Sequence, residues 1–170
     1  SRGLYYDANN ASDLEHLLSE TDFEPALLTR ADRLRQRLIE LKLSKYNVQG
    51  KTRPSLPTDV IGTRPIVLVP GQVESDASIA QGSPEIKTNQ ALLEAVRQSR
   101  PDAFIVYKPH PDVVSGARIG LFDNTARKLY DLELVDYDIV DLIELADEIH
   151  TMCSLTGFEG LLRGVEVHTY

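Results

Sequence analysis

The sequence predicts an α/β domain built on an open parallel sheet. Three observations carry that reading. Short continuous apolar runs, Pro65–Pro70 and Ala103–Tyr107, have the character of strands buried on both faces. Helical patterns alternate with them, as the right-handed crossovers between parallel strands require. Each run gives way at once to glycine, proline and polar residues, in the place where open α/β sheets bind ligands.

The bulk properties bound the answer. At 170 residues the chain holds one domain or slightly more, and 42% hydrophobic residues are enough for one sizeable core. A net charge of −8 argues against a general nucleic-acid binder and leaves room for a small basic pocket. No apolar run approaches the roughly 20 residues of a bilayer-spanning helix, so no transmembrane segment is expected. No signal peptide is read, and a chain that opens on Ser1 without methionine is expected to be a piece of a longer protein. The single Cys153 permits no internal disulfide and fits a reducing, cytoplasmic setting. Four scattered histidines show no metal-binding spacing, so no metal is expected.

Taken in order, Gly3–Asp7 is short and β-prone. Ser12-Asp-Leu-Glu15 is a capping box that opens a short helix to about Glu20. A second helix is predicted from Pro25, a favoured first helical residue, to Leu43. Its apolar positions Leu27, Leu28, Ala31, Leu34, Leu38 and Leu41 recur at helical spacing, and Arg30, Arg33, Arg37 and Lys42 read as a solvated basic face. Residues 1–48 are expected to pack on the main unit, because a stripe this narrow does not support a separate core. Residues 49–64, with Gly50, Pro54, Pro57 and Gly62, read as a linker. Residues 65–170 form the main unit, with strands at 65–70, 103–107, 148–152 and 165–169. Helices are expected from the Thr88 cap to Ser99, from Asp138 to Asp147, and from Ser154 to Arg163, where Gly164 stops the last one.

Three strand ends carry the candidate chemistry. After the first strand come Gly71, Gln72, Glu74, Asp76 and Ser78. Asp76 reads either as a nucleophile or general base beyond a buried strand, or as a plain helix cap. After the second come Lys108 and His110, the latter between Pro109 and Pro111. The prolines fix the backbone around the imidazole, which makes it either an anion ligand or part of a rigid turn. After the third come Ser154, Thr156, Gly157 and Glu159. The hydroxyls and first-turn amides suit a phosphate, Gly157 permits close backbone approach, and Glu159 suits ribose hydroxyls. The bland alternative is a serine cap without a ligand.

At these residues the chain resembles the KpsC family of capsule polysaccharide biosynthesis proteins. The matching runs are Val67–Ile79, Tyr107–Asp112 and Ser154–Gly164; Gly3–Asp7 and Ser44–Asn47 resemble the family too, so the match covers nearly the whole chain. The resemblance implies a glycosyltransferase-B architecture, two Rossmann-like domains facing a cleft, of which this chain is one half. It implies a retaining β-Kdo glycosyltransferase that uses CMP-Kdo, without a metal, to build the capsule linker on a glycolipid acceptor at the inner membrane. It makes Asp76 the glycosylated nucleophile and gives His110 and Ser154 the CMP phosphate. Gln72, Glu74, Lys108 and Glu159 occupy motif positions with less defined roles. The chain departs from the pattern in lacking the tryptophan-containing segment that follows the last strand in family members. The acceptor-side domain is also mostly absent, so the piece alone is expected to be weakly active or inactive. Two rival readings are a sialyltransferase-like CMP-sugar enzyme, in which the carboxylate acts as base, and a non-catalytic nucleotide-binding or assembly module of capsule export. A sugar epimerase domain ranks last.

Overall fold

The computed structural model describes residues 2–45, 54–116 and 126–170. Its strands are β1 (Ile66–Pro70), β2 (Phe104–Lys108), β3 (Leu132–Glu133), β4 (Glu148–Thr151) and β5 (Glu166–Thr169). Its helices are α1 (Asp13–Glu20), α2 (Pro25–Glu40), α3 (Thr58–Ile61), α4 (Ala77–Gly82), α5 (Asn89–Ser99), α6 (Pro111–Val114), α7 (Ile139–Ile143) and α8 (Leu155–Leu162). Among the described residues the strands form one parallel sheet in the order β3-β2-β1-β4-β5. The chain winds outward from β1 through β2 to β3, then crosses back to β4 on the other side of β1. The crevice outside the carboxyl ends of β1 and β4 is therefore the topological switch point, the ligand position of open α/β sheets.

Alternation along each strand divides the core. Val67, Val69, Ile105 and Tyr107 pack with Leu92, Leu93 and Val96 of α5 on one face. Leu68, Phe104, Val106 and Ile149 pack with Leu142 and Ile143 of α7 on the other. All are nearly solvent-free, and each such aliphatic side chain contributes about 1.5–3 kcal/mol on burial. Helix α8 lies close on β4 and β5 because Gly157 and Gly160 face the sheet. A Cβ at 157 would stand 3.2 Å from Thr151 Cγ2 and 3.3 Å from Val167 Cγ1.

Several local expectations change. Gly3–Asp7 forms turns rather than a strand, with the Asp7 amide donating to Leu4 O at 3.0 Å. Helix α2 ends at Glu40, not Leu43, and α7 ends at Ile143, not Asp147. The segment read as linker contains α3, whose Ile61 is buried in the second core; residues 46–53 lie outside the described residues. Strand β3 and helices α3, α4 and α6 are additions. The α1 capping box forms with both reciprocal bonds. No residue of α2 is buried. Leu27, Leu28 and Leu34 are exposed, and Arg35 of α2 donates to Leu162 O of the α/β unit at 3.2 Å. Among the described residues no helix is long and apolar enough to cross a membrane.

Candidate functional site

A cleft of about 930 Å³ opens beyond the carboxyl ends of β1, β2 and β4. It is of the size that small-molecule sites take, roughly 300–1,000 Å³. Asp76, Ser78, Lys108, His110, Ser154 and Thr156 line it together. Tyr5, Tyr6 and Lys45 enter its wall from the N-terminal segment, and Asp136 and Asp138 from the loop before α7.

The β1 loop is shaped by buried polar bonds. The Gln72 amide donates to Asn89 Oδ1 at 2.8 Å, and Asn89 Nδ2 returns a bond to Gln72 O at 2.8 Å. Gln72 Oε1 accepts from Thr151 Oγ1 at 3.2 Å and from the Cys153 amide at 3.1 Å. One glutamine thus ties the loop after β1 to the loop after β4 across the switch point. Glu74 accepts from the Asn89 amide at 2.8 Å, at the positive N-terminal end of α5. It braces the loop and does not line the cleft. Gly71 lets this loop pass the second one, because a Cβ there would collide with the Tyr107 hydroxyl and approach the His110 amide. Asp76 follows as the backbone N-cap of α4, but its carboxylate makes no cap bond. The side chain is exposed in the cleft.

His110 caps α6, with Nδ1 accepting from the Asp112 amide at 3.2 Å. In the neutral ring this places the proton on Nε2 and makes that atom a donor. Burial pushes the His110 pKa below its ordinary value of 6.5. Asp112 and Asp76 oppose that shift, while Lys45 and Lys108 add to it. Lys108 donates its ammonium to Val135 O at 2.8 Å, so it braces the loop before α7 as well as lining the cleft. Its pKa is also lowered, first by burial.

Ser154 caps α8, its Oγ accepting from the Thr156 amide at 3.2 Å and donating to Thr156 Oγ1 at 3.2 Å. The hydroxyl proton can turn to an anion without breaking the cap. Two of the candidate residues also have structural roles. Gly157 faces the sheet, and its amide is bonded to Ser154 O, so its role is helix-to-sheet packing. Glu159 lines the cleft, but its buried carboxylate accepts from the Lys45 amide at 3.0 Å and Ser44 Oγ at 3.3 Å. It thus holds the segment after α2 as well as lining the cleft.

Sequence reading missed Asn89, Thr151 and Lys45. Asn89 follows a helix cap and Thr151 ends a strand, so neither shows a local signal for its long-range bond. Also missed was a second polar cluster away from the cleft. Pairing of β4 with β5 brings Glu148, His150 and His168 donor atoms within 4.8 Å of one another, whereas no linear spacing announces such a trio.

Comparison with known proteins gives the family. The model of the capsule polysaccharide biosynthesis protein family matches residues 1–170. The chain belongs to that family. It is 46% identical over 168 residues to the capsule polysaccharide modification protein LipA of Neisseria meningitidis, covering 98% of this chain and 23% of that protein. It is 36% identical over 173 residues to the lipopolysaccharide-processing protein LpsZ of Rhizobium meliloti, covering 99% of this chain and 38% of that one. Among solved structures it is similar to the β-Kdo 2,7 transferase of Thermosulfurimonas dismutans KpsC, with a TM-score of 0.79 and 40% identity. That match covers 99% of this chain and 50% of the other. The β-Kdo 2,4 transferase of the same KpsC gives a TM-score of 0.76 and 34% identity, over 97% of this chain and 51% of the other. The chain thus spans about half of these solved transferases and about a quarter to two-fifths of the curated relatives.

Proposed function

We propose that this chain is the nucleotide-sugar half of a retaining β-Kdo glycosyltransferase that uses CMP-Kdo and acts in capsule assembly. The observation that carries the proposal is the meeting of Asp76, His110 and Ser154 in one cleft at the switch point of the sheet. The likeness to two Kdo transferases at 40% and 34% identity supports the choice of sugar. In this reading residues 65–170 hold the donor, and the described residues 2–45 reach them through bonds such as Lys42 to Asp141 and Arg35 to Leu162 O. The exposed leucines of α1 and α2 then face the complementary Rossmann-like domain, which supplies the acceptor side. A glycolipid acceptor implies work at the cytoplasmic face of the inner membrane.

The chemistry follows from the groups in the cleft. A carboxylate oxygen of Asp76 attacks the anomeric carbon as the bond from that carbon to the phosphate oxygen breaks, and the electron pair leaves with CMP. His110 Nε2–H and the Ser154 hydroxyl donate to the phosphate as its charge grows. An acceptor hydroxyl then attacks the glycosyl-aspartate, gives its proton to a base of the complementary domain, and releases the carboxylate. Two inversions give net retention. Gln72, Glu74 and Asn89 hold the loop that presents Asp76.

Calorimetry with CMP, UMP and UDP tests the donor class on this chain. Binding of CMP at least about tenfold tighter than UMP or UDP, a difference of about 1.4 kcal/mol, is the expected result. Equal binding of all three, or none, would remove the CMP-sugar assignment.

A further inference from the structure

The basic groups of the cleft are unevenly placed. Lys108 reaches across to Val135 O, and His110 uses one nitrogen as a helix cap. The third basic group, Lys45, comes from outside the sheet, just beyond the C-terminal end of α2.

Lys42, Leu43 and Ser44, which lead Lys45 into the cleft, are each held by α7, α8 or their flanks, as is the Lys45 backbone. Helix α2 ends in a Schellman turn, with the Leu43 amide bonded to Leu38 O and the Lys42 amide to Ile39 O, both at 3.0 Å. Lys42 occupies the left-handed position of that turn at φ 49°, where glycine is the usual residue. Its ammonium binds Asp141 Oδ1 at 2.7 Å and Glu144 Oε2 at 2.9 Å. The expected solvated face is therefore ion-paired at this end, and those two hydrogen bonds raise the pKa of Lys42. Arg163 donates to Leu43 O at 3.3 Å. Glu159, 7% exposed, receives Ser44 and Lys45. A buried carboxylate is costly unless it is well bonded. The two bonds described here come from the residues that turn into the cleft. Lys45 also lies near enough to His110 for its charge to act on the imidazole.

We propose that Lys45 binds the phosphate of the nucleotide, and that Glu159 is the positioning residue that seats it. This rests on the reading of the cleft as a nucleotide-sugar site. An anion between Lys45, His110 and Ser154 would meet an ammonium, an imidazole N–H and a hydroxyl on separate elements. Closing those elements around one phosphate would also tie the segment after α2 to the sheet.

The test compares CMP with cytidine, which lacks the phosphate, by calorimetry on the 170-residue chain. Lys45→Gln should weaken CMP about tenfold, the scale of a lost charged hydrogen bond, leave cytidine unchanged, and flatten the salt dependence of CMP binding. Lys45→Arg should retain CMP affinity within about threefold, since it keeps the charge. Glu159→Gln should weaken CMP less than Lys45→Gln does, and the double variant should be no worse than Lys45→Gln alone, as expected for two residues acting as one unit. If wild type binds CMP and Lys45→Gln binds it equally well, the Lys45 assignment is overturned while the cleft reading stands. If Glu159→Gln lowers CMP affinity, cytidine affinity and the melting temperature together, the positioning role is overturned in favour of a purely structural one. If wild type fails to bind CMP at all, the cleft reading falls and this assignment with it.

Discussion

Two polar clusters lie on the same sheet, built from similar residues, and they do opposite things. The network at β4 and β5 closes on itself. Glu148 Oε2 accepts from Arg100 Nε at 2.8 Å and from His150 Nε2 at 2.9 Å. His150 Nδ1 meets the Tyr170 hydroxyl at 2.8 Å, and its ring stacks on His168 at 4.3 Å. Burial lowers the His150 pKa against the opposing hydrogen bond that its ring donates to Glu148, so the ring is neutral at neutral pH. Burial alone would raise Glu148, but the bonds from His150 and Arg100 outweigh it and the net shift is downward. In the cleft Asp76, Lys108, His110 and Ser154 come from separate loops and line an open cavity of about 930 Å³. His150 is 1% exposed; Asp76 is exposed and uncapped. The difference separates a group that specifies the fold from one available to a ligand. A histidine, a carboxylate and a cation in proximity do not mark a site until their bonds have been counted.

The largest expected effect breaks the comparison on the cleft side. In a protein that also carries the complementary domain, Asp76→Asn should lower turnover of CMP-Kdo at least about 10³-fold, roughly 4 kcal/mol in the barrier. CMP affinity should hardly change, because the variant keeps the shape and loses only the nucleophilic charge. Full turnover by the asparagine variant would favour the inverting or non-catalytic reading.

Matched histidine substitutions give the next effect. His150→Ala should destabilise the fold by about 2–4 kcal/mol, since it opens a cavity and strands Glu148 and Tyr170. His110→Ala should leave denaturant stability nearly unchanged and weaken CMP by about 1.5–3 kcal/mol. Urea unfolding and calorimetry on both variants would check the pair. Similar stability losses in both would erase the distinction drawn between the clusters.

The broad fold was legible, and the reason is physical. Strands buried on both faces must be continuous apolar runs, and Ile66–Pro70 and Phe104–Lys108 are such runs. Strand β3 escaped because Leu132–Glu133 is two residues long and is held by its neighbour β2, not by a pattern of its own. The gathering of Asp76, Lys108, His110 and Ser154 could be expected from strand ends alone. The work of Gln72, Glu74, Asn89 and Glu159 could not. Their partners are 15 to 115 residues away, and no local spacing encodes a bond such as Glu159 to Ser44. The apolar stripe of α2 was visible, but its exposure was not, because amphipathicity does not say what covers the face.

The most direct test of the contrast is a histidine titration by NMR, with and without CMP. Both His110 and His150 titrate below 6.5 in the free protein because burial disfavours the cation. The unfolded chain therefore takes up the proton first; stability is intact above about pH 6.5 and declines as pH falls toward the lowered values. An anion in the cleft favours the imidazolium of His110 alone. Saturating CMP should raise the His110 pKa, because a nearby anion favours the charged ring. CMP affinity, corrected with a His110→Gln control for the phosphate's own proton, should rise as pH falls through the interval between the bound and free values. His150 should titrate as before. A His110 resonance that ignores CMP, or a His150 pKa that moves instead, would contradict the assignment of the cleft as the nucleotide site.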